Sequence, residues 1–222
     1  MKVAALISGG KDSMLALHKA AEKYDIECLV GVIPKNPDSF MYHTPNLHLL
    51  DAIAECMDLP LHKVFTVGEE EKEVDDLISG LEKIDVDGIV IGGLESEYQK
   101  RRFERVCNSL NLKLITPLWK VNVLDIMREV VEKFECIIVK VSAMGLSKDW
   151  LGRKIDENCL KDLIKLNESY GIHLAGEGGE YETLVLDAPL YKKRIIVEDF
   201  DVKWKNYYGV YEIKSFRLEK KD

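Results

Sequence analysis

The sequence predicts an α/β fold: a parallel sheet doubly covered by helices, followed by a smaller α+β region. Three observations carry that expectation. Short apolar runs alternate with amphipathic stretches from Val3 to about Met144, the pattern of parallel strands joined by crossover helices. The runs are nearly continuous in Val, Ile and Leu, which indicates burial on both faces of the sheet. Beyond Met144 the texture changes to loop, one amphipathic stretch, a glycine-rich acidic segment and an alternating tail. The expected domains are 1–132, holding the parallel sheet, and 133–222, the α+β region.

Taken in order, the strands read as residues 3–7, 28–33, 61–67, 88–93, 112–115 and 136–141. Between them, Met14, Leu15, Leu17, Ala21 and Tyr24 recur at helical spacing. So do Leu47, Leu50, Ala54 and Met57, and then Val74, Leu77, Ile78 and Leu81. Residues 157–170 read as an amphipathic helix. The tail over 191–218 alternates bulky and polar residues and predicts antiparallel strands.

The most informative turn follows the first strand: Ser8-Gly9-Gly10-Lys11-Asp12-Ser13. Glycines let the backbone approach a ligand closely, and the N–H groups of the helix that follows point at an anion placed there. The spacing is not G-x-x-x-x-G-K-[ST], so a P-loop of the ATPase type does not apply. The stretch looks like the SGGxDS pyrophosphate loop of the N-type ATP pyrophosphatases, which cleave ATP between its α and β phosphates. In open parallel sheets ligands bind beyond the carboxyl ends of the strands. At those ends stand this loop, Pro34 to Thr44, Gly92-Gly93-Leu94-Glu95, and Thr116 to Trp119.

With 31 basic and 39 acidic residues among 222, the formal charge of −8 argues against a general grip on nucleic acid. The five cysteines are scattered in apolar surroundings, so neither a disulfide framework nor a C-x-x-C metal site is indicated. Five apolar residues before the glycines are too few for a signal segment, and no apolar run is long enough to span a membrane. A cytoplasmic protein without a membrane partner is expected. A homodimer would be ordinary.

Three further stretches carry chemistry. Tyr42 and His43 lie in Met41 to Thr44, where a phenol or imidazole can meet adenine, ribose or substrate; a packed loop is the bland alternative. Glu95 to Arg102 opens a helix, with Glu97 suited to its N-terminal dipole and Arg101 and Arg102 suited to phosphate or carboxylate oxygens. A solvated face with i,i+4 ion pairs is its alternative. Last comes Gly176-Glu177-Gly178-Gly179-Glu180-Tyr181-Glu182-Thr183, with three carboxylates inside six residues. Such charges repel unless a cation is present, which points to a bound Mg²⁺ or ammonium ion or to a general base, against the alternative of an acidic turn.

Taken together, Ser8–Ser13, Ser39–Thr44, Glu95 with Tyr98, Gln99, Arg101 and Arg102, Thr116–Trp119, Ala143 with Gly145-Leu146, and Glu177–Thr183 with Leu184–Pro189 resemble the diphthine–ammonia ligase family in its short archaeal form. The resemblance runs from residue 8 to residue 189, and Gly-Glu-Gly-Gly-Glu-Tyr-Glu-Thr is its most specific part. It implies a HUP-like PP-loop fold and an ATP-dependent joining of ammonia to the carboxyl of diphthine, a modified histidine on translation elongation factor 2, with release of AMP and pyrophosphate. On that footing Ser8, Gly9, Gly10, Lys11, Asp12 and Ser13 hold the pyrophosphate, Lys11 and Mg²⁺ offset its charge, and Asp12 is the metal ligand. Glu177, Glu180 and Glu182 bind and deprotonate ammonium. Glu95, Tyr98, Gln99, Arg101, Arg102, Gly178, Gly179 and Thr183 border the substrate with Tyr42 and His43.

The quaternary ammonium of diphthine calls for aromatic faces, each contributing roughly 0.5–2 kcal/mol. Tyr42, Tyr98, Trp119 and Tyr181 are the expected cage. An adenine pocket at Ile33, Gly92 and Gly93 follows from fold analogy alone. Two other readings stay open: an ATP pyrophosphatase that adenylates another substrate such as a tRNA base, and an ATP-binding module without turnover. Ribonuclease sensitivity marks the first. Indifference to loss of Glu177, Glu180 and Glu182 marks the second.

Overall fold

A computed structural model describes residues 1–34, 45–67 and 70–221. The first half alternates strand and helix: β1 (Lys2–Leu6), α1 (Lys11–Ala21), β2 (Asp25–Pro34), α2 (Leu50–Met57), β3 (Leu61–Thr66), α3 (Glu70–Leu81), β4 (Gly88–Val90), α4 (Glu97–Leu110) and β5 (Lys113–Ile115). The five strands form one parallel sheet in the order β3-β2-β1-β4-β5. The order reverses between β1 and β4, which opens a crevice at their carboxyl ends.

The helices cover both faces, as the continuous apolar strands require. On one face Leu15, Leu17, Leu50 and Ile53 from α1 and α2 pack with Val3, Ala5 and Leu29. On the other, Val74, Leu77 and Leu81 from α3 and Phe103, Val106 and Cys107 from α4 pack with Ala4, Val30 and Ile89. All five cysteines are buried and unbridged, and burial pushes their thiols up, Cys28 and Cys107 to about 11 and Cys136 to about 12. They are core thiols.

After α5 (Val123–Lys133) come β6 (Glu135–Val141), α6 (Glu157–Tyr170), β7 (Tyr181–Asp187), β8 (Lys193–Lys205) and β9 (Tyr208–Lys220). These strands make a second sheet, antiparallel, in the order β7-β6-β9-β8. One expectation is corrected here. The apolar run over 136–141 does not extend the parallel sheet; it is β6, paired antiparallel with β7 and β9. Its sequence is apolar on both faces, Cys136 to Val139 being buried without a break, and that pattern is the same in either kind of sheet. Among the described residues no helix is long and apolar enough to cross a membrane.

His18 fastens α1 to the second half. Its side chain is buried against Phe134, with ring centroids 5.0 Å apart. Nδ1–H donates to the Met14 carbonyl at 2.7 Å, and Nε2 accepts from the Leu190 N–H at 3.2 Å, which fixes the neutral tautomer. Burial lowers its pKa below the ordinary histidine value, partly opposed by the Met14 bond. The unfolded chain therefore takes up this proton at a higher pH than the folded one does, so stability is complete above the unfolded value of about 6.5 and falls as the pH drops below it. The unfolding midpoint should decline between about pH 7.5 and pH 5.5, and His18→Gln, which cannot take up this proton, should flatten that decline. Equal slopes in both proteins would remove His18 as the cause.

Candidate active site

A cavity of about 160 Å³ opens at the carboxyl ends of β1, β2 and β4 and is closed from the other side by the segment leading into β7. Its polar wall is the loop between β1 and α1. Gly9 takes φ of +82°, a conformation that favours glycine, and a Cβ there would sit 2.9 Å from Ile53 Cδ1 and 3.0 Å from Leu184 Cδ1. Gly10 caps α1 with no side-chain bond, and the start of the helix, Lys11 to Ser13, lines the cavity. Ser13 Oγ donates to the Gly10 carbonyl at 3.0 Å and accepts from the Ser8 N–H at 3.3 Å. Gly92 lies so close to α1 that a Cβ would stand 2.6 Å from Ser13 N and 2.7 Å from Asp12 C.

The loop is sewn to the second sheet. The Val185 N–H donates to the Gly9 carbonyl at 2.9 Å, and the Lys11 N–H donates to Thr183 Oγ1 at 3.0 Å. The Lys11 side chain is 3% exposed. Its ammonium donates to the Ala175 carbonyl at 2.5 Å and to Asp12 Oδ2 at 2.8 Å. Asp12 Oδ1 is buried with no hydrogen-bond partner.

Sequence reasoning groups three carboxylates in the acidic loop, and the fold spreads them apart. Glu177 Oε1 accepts from the Glu95 and Ser96 N–H groups at 3.3 and 3.4 Å, at the N-terminal end of α4, where a negative charge is favoured. Glu180 Oε1 accepts from the His173 N–H at 2.8 Å. Glu182 is paired with Lys140, directly opposite on β6, at 2.5 Å. Among the described residues no three His, Cys, Asp or Glu side chains gather as a metal cluster. Glu177 and Glu182 line the cavity and Glu180 does not.

Of the described members of the expected aromatic cage, Tyr181 lines the cavity and Tyr98 and Trp119 do not. Tyr42 and His43 lie outside the described residues. Tyr181 lines the cavity but is 2% exposed, and its hydroxyl donates to the Leu174 carbonyl at 2.6 Å. Burial holds that phenol far above its ordinary pKa, so it stays protonated. Each described ring already faces a cation of the protein: Tyr181 faces Lys11, Tyr98 faces Arg102, and Trp119 faces Lys100 and Lys120.

Of the remaining expected residues, Ser8, Gly10, Ser13, Gly92, Gly93, Gln99 and Thr183 line the cavity. Glu95, Tyr98, Arg101, Arg102, Trp119, Gly178 and Gly179 stand outside its lining. Ile33 is a further difference. The cavity takes Val30 and Val32 instead, because successive strand residues face opposite sides of the sheet. Sequence reasoning also misses the apolar wall formed by Leu6, Val30, Val32, Ile91 and Phe103, a slot for a flat apolar face beside the phosphate loop. One signal was available for it, since Phe103 follows Gln99 by four and shares its helix face. His173 is missed as well. Its Nδ1 accepts from the Ala175 and Glu177 N–H groups at 3.2 and 3.3 Å and so shapes the start of the acidic loop.

Two family models match the chain: the diphthamide synthase N-terminal domain over residues 1–114 and the diphthamide synthase C-terminal domain over residues 122–218. The diphthine–ammonia ligase of Homo sapiens is 41% identical over 228 residues, covering 91% of this chain and 85% of that protein. The protein of the same name from Rattus norvegicus is 40% identical over 223 residues, covering 89% of this chain and 83% of its own length. In Schizosaccharomyces pombe the match is 37% identical and spans 91% of this chain but only 37% of a longer protein. The phosphate loop, the acidic loop pressed against it and both domain matches thus lead to one conclusion: the chain belongs to the diphthine–ammonia ligase family.

Proposed function

We propose that the protein amidates diphthine with ammonium at the expense of ATP, yielding AMP and pyrophosphate, and that the diphthine is carried by translation elongation factor 2. The observation that carries this reading is the single cavity shared by Ser8, Gly10 and Ser13 on one side and by Glu177, Glu182 and Thr183 on the other. One wall suits phosphate and the other suits a cation. Between them the apolar slot of Val30, Val32, Ile91 and Phe103 suits the adenine ring.

A carboxylate reacts with ammonia only after its oxygen becomes a leaving group. Attack of a carboxylate oxygen on the α-phosphorus breaks the α–β bridge, releases pyrophosphate and leaves an acyl-adenylate. Ammonia then attacks the acyl carbon, AMP leaves with the oxygen, and the surplus proton passes to a carboxylate. Glu182 and Glu177 are the cavity-lining acceptors for it. The backbone N–H groups of the phosphate loop face the charge that develops on the departing pyrophosphate.

The residues present fit Mg²⁺. That ion takes one or two carboxylates together with substrate phosphates and keeps several waters, so it needs no three-residue cage. Asp12, with a buried and unpartnered Oδ1, would hold it, and the ion would supply positive charge against the phosphates.

The reading is tested with purified protein, ATP, Mg²⁺ and ammonium, with and without elongation factor 2 carrying diphthine. AMP formed only with that protein, and a mass loss of about one unit as OH becomes NH₂, are the expected results. AMP without the mass change would keep the ATP chemistry and discard the substrate. No AMP under any condition would leave an ATP-binding module.

A further inference from the structure

Lys11 lines the cavity, where a lysine would be expected to reach the phosphates, but its ammonium is already engaged by groups of the cavity wall. Its ammonium is directed into the seam between the two sheets, onto the Ala175 carbonyl and Asp12 Oδ2, and lies 5.4 Å from the centre of the Tyr181 ring. Two of its three hydrogens are committed there, and the ring offers the cation an aromatic face. Swinging Nζ out to a phosphate would strip a buried carbonyl of its donor and move the charge off the ring. The backbone of the same residue crosses the same seam, through its N–H to Thr183 Oγ1. Both ends of Lys11 therefore bind the second half of the chain.

We infer that Lys11 is a positioning residue, a strut that fastens the acidic loop at Ala175 to the phosphate loop and, by holding Asp12 Oδ2, leaves the buried, unpartnered Asp12 Oδ1 to a divalent cation. This rests on the ATP reading above. Under it, pyrophosphate is gripped by backbone N–H groups and serine hydroxyls, and its charge is met by the cation on Asp12, without a direct lysine contact. A family member without this lysine would need another donor for the Ala175 carbonyl.

The test uses the full chain and two variants, Lys11→Met and Lys11→Gln, of which the second keeps a donor and loses the charge. Calorimetry with sodium pyrophosphate, first in chelator and then at graded Mg²⁺, separates the two roles. For Lys11→Met, affinity for metal-free pyrophosphate should stay within about threefold of wild type, while the Mg²⁺ concentration that half-saturates the metal-dependent gain should rise about tenfold or more. Amide exchange over residues 174–178 should quicken by about tenfold or more in the same variant, and Lys11→Gln should recover part of that protection. A tenfold loss of metal-free pyrophosphate affinity with unchanged Mg²⁺ dependence would make Lys11 a phosphate ligand and overturn the inference. Unchanged exchange over 174–178 would overturn it too. If the wild-type protein binds neither pyrophosphate nor ATP, the ATP reading falls, and exchange alone decides the strut. Should Lys11→Met fail to fold, the pyrophosphate and Mg²⁺ titrations of Lys11→Gln decide the matter, with the same titration outcomes counting for and against.

Discussion

Gly92→Ala should abolish most AMP formation, the largest effect expected from adding a single carbon atom. The new Cβ would stand 2.6 Å from Ser13 N and 2.7 Å from both Asp12 C and Ser13 Cα. All three are backbone atoms of the first turn of α1, so no side chain can swing aside. The end of β4 and the start of α1 must separate. Overpacking of this kind costs about 1–3 kcal/mol of stability. A displacement of about 1 Å at a site that works by positioning lowers the rate about 100-fold. The control is the neighbouring glycine. A Cβ on Gly93 meets nothing closer than the movable Ile91 Cδ1 at 3.8 Å, and Gly93→Ala should keep near-normal stability and turnover. Thermal melts and AMP release by the two variants, measured side by side, check this. Comparable behaviour of the two would mean that the close approach of β4 to α1 does not set the loop.

The second large effect belongs to Asp12. Asn is isosteric, so Asp12→Asn keeps a carbonyl oxygen for the Lys11 ammonium and removes the charge that would hold a divalent cation. Loss of one preorganised electrostatic contact typically lowers kcat about 10²–10³-fold, and that range is expected for AMP formation. The unfolding midpoint should change little by comparison, since Asp12 is partly exposed and its contact with Lys11 persists. Steady-state kinetics over a Mg²⁺ series, alongside a melt, make the measurement. Full activity at ordinary Mg²⁺ would remove Asp12 from the metal role.

The strands, the helices over them and the phosphate loop were legible because each is written locally, in apolar runs, helical spacing and paired glycines. What failed to show depends on pairing between distant segments. Whether Val32 or Ile33 meets the cavity is a matter of strand parity, and a strand apolar on both faces carries no alternation from which to read it. The scattering of Glu177, Glu180 and Glu182 depends on partners outside their own run: the Ser96 N–H and Lys140, far away in the chain, and the His173 N–H, a short way before it. Their spacing announces repulsion, and a different neighbour resolves it for each. The same holds for the aromatic residues. Tyr98, Trp119 and Tyr181 were marked by their places beside motifs; Arg102 on Tyr98 follows from i,i+4 spacing in α4, while Lys100 on Trp119 and Lys11 on Tyr181 come from other segments that spacing alone does not orient. The Lys11 direction was hidden for a like reason, because its acceptor, Ala175, lies 164 positions on.

The bond from the Val185 N–H to the Gly9 carbonyl sets a limit on how this chain can be divided. One apolar core runs without interruption from Val3 and Leu17 through Ile126 and Ile138 to Leu184 and Ile213. A fragment ending after the parallel sheet would keep every residue of Ser8 to Ser13 and lose what holds the loop in shape: its seam partners Thr183, Val185 and Ala175. The two halves should therefore melt together, in a single transition, and neither should be recoverable by expression alone. Duplication or exchange of one half among relatives would demand that the seam travel with it.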